Sequence, residues 1–352
     1  MLQEVIVVLI LAFLGWIIAF IWSPFLIKLL TRYKCYKKQV RTEAPDGSGT
    51  PIFASLHKNK ETATPRMAGV LFWVTTGFLA LLFVILAHWQ PDFFAKFDFV
   101  SRSQTWIPLF TLIAASVLGF VDDCLVVRGS GRINKGGGLK FRHRLLVVFL
   151  ISLVGAYWFY FKLGWDTIHV PFYGDWNLGF FYVILFIITM IGLFSGSVID
   201  GIDGLAGGVF AIIFTIYCII AFARGQYDLS AFCGILSGTL LAFLWFNIPP
   251  AKFYMGETGI LGLTTTLAVV SFLTNTVLLL PFFALILFAE IFSVVLQMWS
   301  KKYRHKKIFL VAPIHHHFEA KGWPAYQVTM RFWLIAGASS LIGLILFLID
   351  KV

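Results

Sequence analysis

The sequence predicts an all-α integral membrane protein in which about ten transmembrane helices form a single polytopic domain over residues 1–352. First, the chain is 59% hydrophobic and only 13% charged, whereas a soluble domain is roughly half apolar and a quarter charged. Second, its mean hydropathy is +0.86. Third, apolar runs of about 17–25 residues, the length that crosses a bilayer, recur along the chain. A soluble globular domain is therefore excluded.

The apolar runs define the candidate spans in order. The first run is too long for the apolar region of a signal peptide and lacks a small-residue cleavage site, so we interpret it as a retained span. The eighth and ninth runs are separated only by "LTNT", so the total depends on that short break. The spans lie at about 5–30, 67–88, 105–121, 145–162, 178–196, 205–223, 229–248, 258–273, 277–299 and 331–349.

The positive charge is concentrated in alternate loops. The loops after the first, third and ninth spans are rich in Lys and Arg, while "KLGWDTIHVPFYGDWN" on the other side is nearly neutral. Basic loops face the cytoplasm, so both termini are expected to be extracytoplasmic. The net charge of +11 is explained in this way, and no nucleic-acid partner is expected. The expected cytoplasmic loops are about 31–66, 122–144, 197–204, 249–257 and 300–330.

Four polar stretches fall on this cytoplasmic side. They are "GFVDDCL" with Asp122 and Asp123, "DGIDGLAGG", "NIPPAKFYMGETG" and "PIHHHFEAKGWP". Crowded carboxylates repel each other, so such a cluster generally needs a cation, and hard oxygen ligands suit Mg²⁺ bound to substrate phosphates. The sequence therefore predicts an active site at the cytoplasmic face that acts on a diphosphate. An isolated acidic pair that caps a helix is the simpler alternative. The four cysteines show no paired spacing that would indicate a zinc site or disulfides.

Several polar residues allow two interpretations. Asp200 and Asp203 share a face if their segment is helical, although Asp-Gly pairs also mark turns. Consecutive histidines on a helix diverge, so "HHH" is expected to donate to phosphates or hydroxyls rather than to bind one metal ion. A polar stripe within the ninth span is either functional or structural; its members are Glu290, Ser293 and Gln297.

These motifs carry a resemblance to a known family. In order along the chain, the matching stretches are "TPRMAGV", "GFVDDCL", "INKGG", "DGIDGLAGG", "FLWFNIPPAKFYMGETG", "FSVVLQ", "KKIFLVAPIHHHFEAKGWP" and "RFWLI". The chain resembles the polyprenyl-phosphate N-acetylhexosamine-1-phosphate transferases. "APIHHHFEAKGWP" indicates the muramoyl-pentapeptide branch rather than the N-acetylglucosamine branch, which remains the alternative.

The resemblance implies a fold and an activity. It implies ten transmembrane helices in the bacterial inner membrane, and it is compatible with a homodimer. It also implies transfer of phospho-MurNAc-pentapeptide from UDP-MurNAc-pentapeptide to undecaprenyl phosphate, which yields lipid I and UMP with Mg²⁺ as cofactor. A cation transporter that uses intramembrane carboxylates is a remote alternative from another class.

The resemblance also assigns residues. Asp122 is implied to be a base or a nucleophile, Asp123 its acidic partner and His315 a further catalytic residue. Glu257 occupies the position of a metal-binding aspartate, with Asp122 and Asp123 as further metal ligands. The implied substrate-binding residues are Lys60, Thr64, Lys135, Asp200, Asp203, Asn247, Tyr254, His316 and His317.

The chain departs from the family pattern at several of these motifs. Glu257 replaces an aspartate, and its extra methylene still allows it to reach a metal ion. Arg144 replaces a lysine. A relative that binds substrate with reduced catalysis is therefore a third possibility. The other departures are Arg66, Ala68, Ser197 and Ile260.

Overall fold

The computed structural model describes residues 1–37, 63–101, 103–129, 138–139 and 141–350. Lys60 and Lys135, both predicted to bind substrate, lie outside these residues. The main helices are α1 (Leu2–Arg32), α2 (Val70–Trp89), α3 (Ser103–Arg128), α4 (Phe141–Tyr157), α5 (Phe181–Ser195), α6 (Leu205–Ala223), α7 (Tyr227–Asn247), α8 (Gly256–Leu273), α9 (Leu285–Arg304), α10 (Ile314–Ala320) and α11 (Ala325–Asp350).

Short elements complete the described chain. Helical turns occur at Pro91–Phe94, Ala95–Phe97, Trp158–Lys162, Gly196–Ile199, Val277–Leu279 and Leu280–Phe283. Between α4 and α5, strands β1 (Thr167–Val170) and β2 (Gly174–Asn177) pair antiparallel, with Thr167 opposite Asn177. The all-α prediction did not include this hairpin, because four-residue strands give little periodic signal.

Nine helices in the described part of the chain are long and apolar enough to cross a membrane, or ten if one bent pair counts as a span. The prediction of a multi-pass membrane protein is thereby confirmed. The ninth predicted span, 277–299, is not one continuous helix. Val277–Phe283 and Leu285–Arg304 meet at 87°, because Ala284 leaves the helical region with φ −118° and ψ 31°.

The bundle is organised around α8. Of the residues in its apolar window 94% are buried, against 28% for α1, which is therefore peripheral. Helix α3 lies very close to the start of α8: a Cβ placed on Gly119 would be 2.1 Å from the carbonyl oxygen of Glu257. Only glycine allows this approach. Hydroxyl groups inside α8 are satisfied locally, since Thr264 and Thr265 donate to carbonyls one turn earlier.

Helix α3 continues beyond the predicted third span. It runs to Arg128, so Asp122 and Asp123 lie within its last two turns and not at the start of a loop. The prediction placed the boundary at 121 because an apolar run ends at the first charge. The backbone remains helical because these carboxylates are stabilised by contacts from other parts of the chain, described below.

The hairpin is fastened to the end of α11 through His169. Its Nδ1 lies 2.7 Å from Oδ1 of Asp175, and its Nε2 lies 2.5 Å from Oδ2 of Asp350. The backbone N–H of Phe172 also donates to Asp350, and that of His169 donates to Asn275. Together these bonds join β1, the α8–α9 connection and the last turn of α11.

These contacts give stability a pH dependence. Burial lowers the pKa of His169, but the hydrogen bonds to Asp175 and Asp350 outweigh it and raise the pKa above its ordinary value. The stabilisation is therefore complete below about pH 6.5 and is lost as the pH rises through the pKa of the folded protein. We expect the Tm to fall over that window, and His169→Gln to remove the fall. His143→Gln, at an exposed position, is the control; a parallel fall in both variants would contradict the assignment.

Candidate active site

Four carboxylates from three segments gather at one end of the bundle. Asp122 and Asp123 come from α3, Asp200 from the turn before α6, and Glu257 from the first turn of α8. Asp200 accepts a hydrogen bond from the backbone N–H of Gly256 at 3.2 Å. Oδ2 of Asp123 accepts from the backbone N–H and the hydroxyl of Thr258, at 2.9 and 2.8 Å. The stretches that the sequence expects to converge therefore meet.

Two arginines lie among these carboxylates. Arg144 from α4 places Nη1 2.6 Å from Oε1 of Glu257 and 3.6 Å from Oδ2 of Asp122. Nε of Arg66 lies 3.7 Å from Oδ1 of Asp123, a side chain with no exposed surface. Charges of opposite sign stabilise carboxylates that would otherwise repel each other. The sequence placed both arginines in basic loops and marked them as departures from the family pattern, but their pairing with the acids could be seen only in the fold.

The segment containing Asp200 and Asp203 is a turn, so of the two interpretations of this Asp-Gly stretch the turn is confirmed and the shared helical face does not apply. Burial raises the pKa of Asp200, Arg66 opposes that effect and Glu257 reinforces it, with a resulting pKa of about 6. Asp203 accepts a hydrogen bond from the N–H of Ala251 at 3.4 Å. Thus each aspartate fastens the turn to the segment that leads into α8.

The predicted residues Thr64, Asn247 and Tyr254 surround the same turn. The Tyr254 hydroxyl hydrogen-bonds Thr64 and Asp203, and burial followed by the charge of Asp203 raises its pKa. The Asn247 amide accepts from the N–H of Gly204 at 3.0 Å and donates to the carbonyl of Phe253 at 2.9 Å. Both ends of this amide are engaged within the protein, which gives Asn247 a structural role that the sequence did not predict.

Two of the three histidines converge, contrary to the prediction that all three diverge. Nδ1 of His315 lies 2.9 Å from Glu290, and Nδ1 of His316 lies 2.6 Å from Glu319. A Cβ placed on Gly201 would lie 2.2 Å from Nε2 of His315 and 3.1 Å from Nε2 of His316. Both rings therefore present Nε2 to the turn that follows Asp200.

His317 points elsewhere and has a different environment. Its Nδ1 accepts from the backbone N–H of Leu310 at 3.1 Å, and burial followed by the charge of Lys321 lowers its pKa. In the polar stripe of α9, Gln297 hydrogen-bonds the backbone of Ile308 and Phe309, which is a structural role. Glu290 is the member of the stripe that reaches a candidate site residue, and sequence spacing alone could not separate it from the others.

The carboxylate cluster offers oxygens to a hard cation. Oδ1 of Asp123 and Oε2 of Glu257 are buried and have no hydrogen-bond partner. Mg²⁺ typically takes one or two protein carboxylates and completes its shell with water and phosphate oxygens, so this pair fits it. Asp122 is engaged by the N–H of Leu139 and faces Arg144. Within the described ranges, no three His, Cys, Asp or Glu side chains are arranged to hold one ion. The implied set of three metal ligands, Asp122, Asp123 and Glu257, is therefore not assembled, because Asp122 is engaged elsewhere.

Comparison with known proteins extends the likeness over the whole chain. Residues 105–275 match the family model described as Glycosyl transferase family 4. Three similar curated proteins are named phospho-N-acetylmuramoyl-pentapeptide-transferase. The one from Geobacillus sp. (strain WCH70) is 33% identical over 98% of both chains, and the one from Clostridium novyi (strain NT) is 33% identical over 94% of this chain and 93% of the relative. The one from Levilactobacillus brevis is 35% identical over 94% of this chain and 95% of the relative. Identity at this level over nearly the full length shows that the chain belongs to the phospho-N-acetylmuramoyl-pentapeptide-transferase family.

Proposed function

We propose that the protein transfers phospho-MurNAc-pentapeptide from UDP-MurNAc-pentapeptide to undecaprenyl phosphate, forming lipid I and UMP. One observation supports the proposal most directly: the carboxylate cluster and the two histidines meet at the turn that contains Asp200 and Gly201. Asp200 bonds the backbone beside Glu257, while the next residue, Gly201, lies against His315 and His316. Carboxylates that can hold a cation and histidines that can donate hydrogen bonds thus flank one position, an arrangement that suits a sugar diphosphate.

We place the site at the cytoplasmic face of a bacterial inner membrane. The basic loops that set this orientation also leave both termini extracytoplasmic. The proposed cytoplasmic loops remain those of the sequence analysis: 31–66, 122–144, 197–204, 249–257 and 300–330. A site at the interface suits one water-soluble anionic substrate and one substrate with a long apolar tail.

In the proposed reaction, a phosphate oxygen of the lipid attacks the sugar-proximal phosphorus, and the bond from phosphorus to the UMP oxygen breaks with its electron pair leaving on UMP. Asp123 and Glu257 would hold Mg²⁺, which supplies charge neutralisation on the diphosphate when bound. Arg66 and Arg144 offset the carboxylates, so that an anionic substrate can approach. Asp122 either assists direct attack or forms an aspartyl-phosphate; inversion at phosphorus would select the direct route.

A UMP-release assay tests the proposal. Purified protein with Mg²⁺ and undecaprenyl phosphate should release UMP from UDP-MurNAc-pentapeptide, and UDP-GlcNAc in excess should neither replace it nor compete. Turnover of UDP-GlcNAc alone would instead indicate the N-acetylglucosamine branch. Absence of turnover with either donor would favour the relative with reduced catalysis.

The cation-transporter alternative is less well supported. Its carboxylates would be expected near the middle of the membrane, whereas the cluster of Asp122, Asp123, Asp200 and Glu257 gathers at helix ends. Proteoliposomes that contain the protein should accordingly show no cation flux above that of empty vesicles.

A further inference from the structure

Glu290 is a carboxylate in an unusual place. It lies on α9 with no exposed surface, in one half of the bent membrane segment. An ionisable group inside a membrane protein is costly unless a partner compensates it. The partner is His315, likewise without exposed surface, whose Nδ1 lies 2.9 Å from Oε2 of Glu290.

This contact fixes the direction of the ring. The carboxylate occupies Nδ1. The other ring nitrogen, Nε2, is therefore the one that can hydrogen-bond a ligand. Nε2 is buried and has no hydrogen-bond partner, and it lies against Gly201. In an imidazolium both ring nitrogens donate, so a histidine oriented in this way can hydrogen-bond a carboxylate through Nδ1 and an anionic oxygen through Nε2.

The same construction occurs in the neighbouring residue. Oε2 of Glu319 lies 2.6 Å from Nδ1 of His316, and the two imidazole centroids are 4.0 Å apart. Both Nε2 atoms approach Gly201. A hydrogen bond that only satisfies a buried polar group does not require any particular direction for the other ring nitrogen. Here the second nitrogen of both histidines is directed toward the same glycine.

We infer that Glu290 is a positioning residue that holds His315 so that its Nε2–H meets a phosphate oxygen of the sugar donor beside Gly201. Glu290 does not itself contact substrate in this arrangement. The inference rests on the proposed function and adds to it a residue outside the loops. Carboxylates that orient metal-bound histidines contribute about 10- to 100-fold to metal affinity or activity, and we expect a loss of similar size here.

The first test compares two neighbours on α9. Glu290→Gln keeps the size of the side chain but removes its charge, and should lower kcat roughly 10- to 100-fold with little change in the KM for the donor. Ser293 is also buried and donates to the carbonyl of Glu290, one turn away. Ser293→Ala is the matched control and should leave kcat within about twofold.

A double-mutant cycle separates positioning from structure. In a His315→Gln background, Glu290→Gln should cause no further loss, because the ring it orients is absent. Glu290→Asp provides a second route should Glu290→Gln not fold: it keeps the charge but shortens the side chain by one methylene, so the contact with Nδ1 of His315 is lost and kcat should fall in the same way. Wild-type kcat in either variant, or losses that multiply in the cycle, would overturn the inference.

A measurement that does not depend on enzyme activity tests this inference separately from the proposed function. In ¹⁵N-histidine-labelled protein, the ring signal that disappears with His315→Gln belongs to His315. The nitrogen chemical shift of that signal should change with Glu290→Gln and should stay the same with Ser293→Ala. An inactive wild-type protein would contradict the proposed function alone. An unchanged His315 signal in Glu290→Gln would contradict the positioning role even in an active enzyme.

Discussion

Replacing Asp123 by Asn is expected to lower UMP release roughly 100- to 1,000-fold, the loss typical when a site loses a preorganised charge that stabilises the transition state. The reason lies in how the carboxylate is held. Thr258 donates two hydrogen bonds to Oδ2, so an asparagine must keep its oxygen there. Its NH2 group then takes the place of Oδ1, the buried oxygen near Arg66, and presents a donor where a cation needs an acceptor.

The control for this variant is Asp166→Asn. Asp166 lies before the hairpin and accepts a hydrogen bond from Asn177, so the substitution removes the same charge far from the site. We expect it to retain activity within about twofold. Near wild-type turnover of Asp123→Asn, or an unchanged dependence on Mg²⁺ concentration, would count against Asp123 as a cation ligand.

Replacing Arg144 by Gln is expected to destabilise the protein by about 3 kcal/mol, because one partner of a partly buried ion pair is removed and the other remains. Glu257 and Asp122 lose the guanidinium that lies 2.6 and 3.6 Å from them. Thermal unfolding should show a Tm lower by several degrees. Adding Mg²⁺ should raise the Tm of Arg144→Gln more than that of the wild type, since a divalent cation can neutralise the same carboxylates.

Arg142→Gln is the matched control for the stability measurement. Arg142 lies two residues earlier on α4 and is exposed, so its removal should change the Tm little. The double variant Arg144→Gln with Glu257→Gln should recover part of the lost stability, because the charge of Glu257, the nearer of the two partners of Arg144, is then no longer left unpaired. A double variant less stable than Arg144→Gln alone would refute the pairing.

Much of the fold follows from the sequence because a bilayer imposes a minimum apolar length on each crossing helix. The run at 205–223, for example, coincides with α6. The break at Ala284 was not foreseen. Its flanking residues are all apolar, and an apolar run does not show whether the helix axis changes direction within it. The continuation of α3 past Asp122 was missed for the opposite reason: charge ends an apolar run but does not end a helix.

The site could be predicted as a set of segments but not as a set of contacts. Charge asymmetry indicated that the stretches with Asp122, Asp200, Glu257 and His315 share one side. The pairing of Glu290 with His315 joins residues 25 apart in sequence, across a loop and a change of helix. Likewise, the departures at Arg144 and Glu257 are evident one at a time, whereas their direct contact depends on how α4 lies beside α8.

The deep burial of α8 has a consequence for how the protein is made. This helix has the lowest hydropathy of the nine candidate spans and the largest share of buried residues. A weakly apolar segment gains little from lipid when it leaves the translocon alone. We therefore expect its integration to depend on packing against helices inserted earlier, such as α3, which would couple membrane insertion to assembly of the carboxylate cluster.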